Sequence, residues 1–234
     1  FLINQLVRVA CLQITLQPLW EGLAEHKWTE TQLHQLQERL RRFDFVSDMI
    51  GPMGSERAAS VGVIHRLARD SRSRPGIADL FDMGNQPTHK PKAAAFLTSL
   101  VPRGWFYFEA LNYCTLLDDQ MKDGFDLQKK TINGPRMDEN NVRMETDLES
   151  AKGFKAVLHH KYFAKVLLPA LKNATRRFAV GQVAADQAAL ACALERYRLA
   201  NGKLPENLDA LVPKFMTKLP HDVLTGEPLQ YKRI

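Results

Sequence analysis

Apolar residues recur at helical spacing along most of this chain, so nearly every element they predict is a helix. Ile3, Leu6, Val7, Ala10 and Ile14 open the first, over residues 2–25, which Pro18 loosens. Thr29, just after Trp28, has capping-box spacing with Gln32 and starts a second helix striped by Leu33, Leu36, Leu40 and Phe43. A third follows Gly54-Ser55, with Ala58, Ala59, Val63 and Leu67 on its apolar side. From residue 71 to 104 the periodicity breaks at Pro75, Pro87, Pro91 and Pro102, which predicts a long connection with room for two short helices. Residues 105–121, WFYFEALNYCTLLDDQM, are the most apolar helix and the expected centre of the core. Residues 122–141 are polar, hold Asn133-Gly134-Pro135 and read as a loop. Helices resume at 142–150 and 154–171, where Pro169 is expected to bend or end the second, and the long terminal helix is expected to begin near Lys172.

That terminal helix runs through AALACALERYRLANGK and stops at Asn201-Gly202, where glycine takes the left-handed cap conformation at little steric cost. Pro205 lies near the first turn of a short helix bearing Leu208, Leu211 and Val212, and Pro213 ends it. The remaining LPHDVLTGEPLQYKR reads as a turn and short strand around Thr225-Gly226, with Leu229 and Tyr231 facing one side. The fold class expected is therefore mainly α: an irregular domain of seven to nine helices with a long C-terminal helix and a small terminal β turn or hairpin. A single domain over residues 1–234 is expected, its best internal boundary lying in the 71–104 connection.

The order of residues in this tail is Ala193, Leu194, Tyr197, Asn201, Gly202 and Pro205, then Leu208, Leu211 and Val212, then Asp222, Gly226, Pro228 and Tyr231. It resembles the carboxy-terminal part of the major pseudopilins of type II secretion, the general secretion pathway G proteins. Those carry A-L-x-x-Y-x-x-x-N-G-x-x-P, a short L-x-x-L-V helix and a D-x-x-G-x-P-x-x-Y turn. Residues 182–234 carry the likeness, about a fifth of the chain. Bacterial envelope proteins with a large helical region ahead of such a tail are similar as well. The apolar stalk of true pseudopilins, with its processing site and glutamate, does not occur in residues 1–234. The resemblance implies a bacterial cell-envelope protein on the periplasmic side, with a membrane anchor upstream of Phe1 and a protein partner in the envelope. A chain that begins at Phe1 already in helical periodicity, with no signal peptide, is consistent with a piece of something longer.

Composition narrows the classes further. A 45% hydrophobic content supports a real core and argues against disorder. Thirty-two Lys and Arg against 26 Asp and Glu give a net charge of +6, which permits an anionic partner. The densest basic groups are Arg41-Arg42, the Arg66 to Arg74 stretch and Arg176-Arg177. None is interleaved with aromatics as a base-stacking surface would be, which argues against nucleic acid. Cys11, Cys114 and Cys192 are odd in number, far apart and in apolar patterns, so buried free thiols are expected, with one disulfide pair as the alternative that leaves the compartment open. No run of about 18 apolar residues is present in the sequence.

The chain lacks H-E-x-x-H, E-x-x-H, G-x-S-x-G, S-x-x-K, the phosphate-binding loop and G-x-G-x-x-G, so no catalytic residue is assigned. Glu109, with Asn112, is one candidate, because a carboxylate among Phe106, Phe108 and Tyr113 needs a partner if buried. An arginine partner or a solvent-facing edge is the simpler reading. His159, next to His160, is another, although adjacent helical positions point about 100° apart and do not chelate one metal. Asp118, Asp119 and Asp123 fall outside EF-hand spacing and read as a solvated helix end. Pseudopilin tails bind calcium in the loop before the final strands, and Asp222 and Glu227 are the residues here that the resemblance would make its ligands. No other cofactor is implied. The expected function is a non-enzymatic interaction or structural protein of the envelope, near a secretion or pilus-like assembly. Its alternatives are an enzyme or small-ligand binder, with a pocket between helix 105–121 and the 71–104 connection, and anionic polymer binding by the basic faces.

Overall fold

A computed structural model describes residues 2–70, 101–150 and 154–232. Among these the protein is mainly helical: α1 (Leu2–Ala24), α2 (Glu30–Leu40), α3 (Ile50–Arg69), α4 (Arg103–Met121), α5 (Gly134–Ser150), α6 (Phe154–Leu158) and the 40-residue α7 (Tyr162–Asn201). Short 3₁₀ turns precede α3 at Ser47–Met49 and follow α7 at Leu208–Leu211. The strands β1 (Phe125–Asp126) and β2 (Thr131–Ile132) form an antiparallel hairpin that pairs Phe125 with Ile132. The chain divides into two compact units, one of Phe1–Met53, Asp123–Met137 and Lys172–Ile234, the other of Gly54–Lys122 and Asp138–Leu171. The 71–104 connection lies almost wholly outside the described residues.

In the first unit α1 buries Val9, Leu12, Leu16 and Leu19. Small side chains on α7, Ala185, Ala188, Ala189 and Ala193, let neighbouring elements approach closely. At Gly22 a Cβ would stand only 2.3 Å from the Trp28 indole nitrogen, so that ring would have to move, while at Gly181 it would stand 3.0 Å from both Val9 methyls, a tight contact. The sequence capping box is present: Thr29 accepts from Gln32 N–H, and the Gln32 side chain accepts from Thr29 N–H. Arg196 is the buried polar pin of the unit. It donates to Glu30 (2.9 Å), to Gln37 (2.9 Å) and to the Phe215 carbonyl (3.2 Å), which Gln37 also reaches at 2.8 Å. The tail folds back on α7 through Leu208, Leu211, Phe215 and Met216, which pack with Ala193, Leu194, Tyr197 and Tyr231.

The second unit centres on Ile64, Leu67 and Ala68 of α3, Phe106 and Ala110 of α4, and Phe163 in the first turn of α7. Arg57 and Asp118 form a two-pronged ion pair at 2.7 and 3.1 Å on its surface. Gln120 and Asn141 bond inside it at 2.9 Å.

Several boundaries differ from the sequence expectation. The long helix begins at Tyr162 and runs through Pro169 without ending there; the break falls instead at residues 159–161. Pro169 is exposed, so its ring meets solvent instead of a packed neighbour. The polar stretch 122–141 contains the hairpin and the start of α5, because Asp126 accepts from the N–H groups of Gln128 (3.0 Å) and Lys129 (2.9 Å) and closes the turn with its own side chain. Gly202 takes the left-handed cap, with φ +75°. Asn207 caps the short turn at Leu208–Leu211, accepting from Ala210 N–H. Beyond it the tail forms a turn with a single β-bridge, His221 to Pro228, and no ladder at Leu229–Tyr231. All three cysteines are free, but Cys11 is exposed, on the face of α1 opposite its buried stripe, while Cys114 is half-buried. Burial pushes the Cys192 thiol up to about 12.

Candidate functional site

The periodicity of α4 puts Phe106, Glu109, Ala110, Tyr113, Leu117 and Gln120 on its buried face. Glu109 is 0% exposed and, among the described residues, has neither of the simpler partners expected, arginine or solvent. Its two oxygens instead accept the backbone N–H groups of Tyr162 (3.1 Å) and Phe163 (2.9 Å). The first N–H groups of a helix have no intrahelical acceptor, and the helix dipole makes that end partly positive. Glu109 thus caps α7 from another helix. Burial still wins over these two bonds and pushes its pKa up to about 7.

One turn along α4, Asn112 donates to the carbonyls of His159 (3.1 Å) and His160 (2.9 Å). Glu109 and Asn112 together hold both sides of the α6–α7 junction, one by its donors and the other by its acceptors. His159 and His160 lie in that turn, not on a helix as their sequence position suggested. His160 is in the left-handed region at φ +53°, a costly conformation for a non-glycine residue. Its ring packs against Phe108 at 5.1 Å and Trp105 at 6.0 Å. Burial, then the neighbouring His159, lowers its pKa. His159 itself is exposed. The geometry brings the three sequence candidates of this region together, but the Glu109 carboxyl and the Asn112 amide are spent on backbone groups, the His159 ring is exposed, and Glu109 itself is fully buried.

Asp222 and Glu227 lie in the tail turn. Asp222 accepts from Leu224 N–H (2.7 Å) and Thr225 N–H (3.0 Å) through one oxygen, and Gly226 takes φ +77° to complete the loop. Asp222 and Glu227 also pair through the backbone, N–H to carbonyl at 2.8 Å. Calcium prefers six to eight oxygens. Among the described residues no three His, Cys, Asp or Glu side chains converge on one point.

Local sequence signals miss a cleft in the first unit. It encloses about 260 Å³ and draws on the segment after α2, the hairpin, α7 and the tail. Phe43, Ala189, Met216, Leu219 and Val223 supply its apolar wall; Arg41, Asp44, Lys130, Asp186, Lys218 and His221 supply the polar one. Lys130 pairs with Asp44 at 2.5 Å, which helps hold that carboxyl below its ordinary pKa against the effect of burial. Gln182 fixes the floor: it accepts from Phe45 N–H at 2.8 Å and donates to both Asp186 oxygens at 3.1 Å. Burial raises the Asp186 pKa, opposed by Gln182 and by the field of His221. Of these residues only Arg41, in a basic pair, and Phe43, in an apolar stripe, stand out in the sequence.

No family model, no curated protein and no solved structure matches this chain. The likeness of the tail to pseudopilins therefore stands on the residues quoted for it.

Proposed function

We propose that this protein is a non-enzymatic interaction or structural module of the bacterial cell envelope, anchored in the membrane by its full-length form and working beside a secretion or pilus-like assembly. One observation carries the reading most. The residues that resemble a pseudopilin tail are not scattered: Ala193, Leu194, Tyr197, Leu208, Leu211 and Tyr231 share one apolar cluster, and the Tyr231 hydroxyl donates to the Pro205 carbonyl at 3.0 Å. The apolar part of the motif thus packs as one cluster, which leaves its surface to do the work.

The geometry around Glu109 supports the non-enzymatic half of the proposal, since its carboxyl and Asn112 are spent on backbone groups. The pocket expected beside helix 105–121 relied on residues 71–100, outside the described residues. Among the described residues no helix is long and apolar enough to cross a membrane. Fractionating cells that produce the full-length protein tests the reading. It is expected in the envelope fraction, with residues 182–231 open to protease only after the outer membrane is permeabilised. Recovery in the cytosol, protected in intact spheroplasts, overturns it.

A further inference from the structure

The cleft of the first unit has a composition that selects among ligands. Three cations, Arg41, Lys130 and Lys218, face two carboxyls, Asp44 and Asp186, which leaves one surplus positive charge apart from His221. The charges are not equally committed. Lys130 is taken by Asp44. Arg41 is shared between Glu38 at 3.2 Å and the Thr217 hydroxyl. The Lys218 ammonium, exposed at the mouth, has neither an ion pair nor a hydrogen bond among the described residues. The Nε2 atom of His221 is buried without a hydrogen-bond partner there.

The opposite wall is apolar. Displacing water held against Met216, Leu219 and Val223 by a hydrocarbon group is favourable. A dianion would meet two carboxyls with only one uncommitted cation at the mouth. A cation would meet Lys218 and Arg41. A monoanion on an apolar body of amino-acid size satisfies both walls. We propose that this cleft is a binding site for a small monocarboxylate with an apolar side group, its carboxylate held by Lys218 and Arg41 and its hydrocarbon part against Met216, Leu219 and Val223. Gln182 pre-orders the polar floor before the ligand arrives, which lowers the ordering cost of binding. The site is independent of the envelope proposal, and its failure would leave that proposal untouched.

Calorimetric titration with N-acetyl-leucine tests it, with N-acetyl-leucinamide and inorganic phosphate as the comparison probes. The expected result is saturable binding of N-acetyl-leucine, at least about tenfold weaker binding of the amide, and no competition by phosphate at equal concentration. Lys218→Glu and Lys218→Met should each weaken binding about tenfold or more. Lys203→Glu, in the same unit but not in the cleft wall, should leave it unchanged. Because Lys218 is exposed, circular dichroism should show both of its variants folded. Absence of saturable heat with N-acetyl-leucine overturns the proposal. So does equal affinity for the amide, or an equal loss in Lys203→Glu, which would reduce the effect to net charge.

Discussion

Each unit buries an ionisable side chain at a junction of its helices, and the two are held in opposite ways. Arg196, 8% exposed, spreads its guanidinium over a carboxylate, a side-chain amide and a carbonyl, and its carboxylate partner Glu30 keeps a side chain 55% exposed. Glu109 has no solvent contact and, among the described residues, no cation; two peptide N–H groups are its whole complement. A helix end carries only about half an elementary charge. That is too little to offset complete burial of a carboxylate, so Glu109 rises to about 7. The contrast teaches that hydrogen bonds satisfied in number are not equivalent to charge satisfied in magnitude. One unit is pinned by a full ion pair that reaches water, the other by a proton-sensitive cap.

The contrast is sharpest in mutational cost. Arg196→Met should destabilise the protein by about 3 kcal/mol, because the buried Gln37 oxygen is left without its charged donor. The Gln37 oxygen then loses its donor, and the stacking of the guanidinium on Phe215, now 5.8 Å from the ring centre, disappears. Glu30→Ala should cost less than about 1 kcal/mol, because its carboxylate is already largely in water. Urea denaturation followed by fluorescence measures both; equal losses would mean that the ion pair, not the buried fork, holds the unit.

The second prediction concerns pH. The folded pKa of Glu109, about 7, lies above its ordinary 4.5, so between these values the folded state binds more protons than the unfolded one. Stability from this group is complete below pH 4.5 and is lost as pH rises through 7. The loss is at most about 3 kcal/mol, since each tenfold difference in proton affinity between the two states is worth about 1.4 kcal/mol. Glu109→Gln does not titrate, so its stability relative to the parent should climb across that window. Amide exchange at Tyr162 and Phe163, corrected for intrinsic rate, should show the parent opening more readily at pH 8 than at pH 5 and the variant not. A flat difference would show that the helix end neutralises Glu109 fully and would erase the contrast with Arg196.

Asn112→Ala isolates the acceptor side of the same junction. Two carbonyls lose their shared donor, and His160 loses support for its left-handed backbone. About 1–2 kcal/mol is expected by thermal or chemical unfolding. Replacing His160 by glycine in the same background should recover part of it, since glycine takes positive φ at little cost; no recovery would place the strain elsewhere.

What could be read from the sequence follows the range of the interactions responsible. The Thr29–Gln32 cap and the Gly202 stop are set within three or four residues, and both are legible. The start of α7 is not. Pro169 is a local breaker, but the break occurs at His159–Lys161, where no proline or glycine stands, because Glu109 and Asn112, some fifty residues away, stabilise it. Glu109 itself was legible as an anomaly, a carboxylate on an apolar helical stripe, while its partners were backbone groups that carry no sequence signal. The cleft is the extreme case: Arg41, Asp44, Lys130, Asp186, Lys218 and His221 come from separate segments and meet only through the fold.

The smallest expected effect belongs to the tail, and it extends the comparison to a neutral group. Tyr231 donates its hydroxyl to the Pro205 carbonyl at 3.0 Å while its ring packs with the cluster around Leu211. Tyr231→Phe keeps the ring and removes the donor, so about 1 kcal/mol should be lost, the net worth of one neutral hydrogen bond. Tyr231→Ala removes both and should cost more, about 2–3 kcal/mol for a half-buried aromatic. Neither should change the slope of stability against pH between 4.5 and 7, because the bond carries no net charge. A slope change in Tyr231→Phe would show that this bond is linked to a titrating group and would remove it as the neutral case.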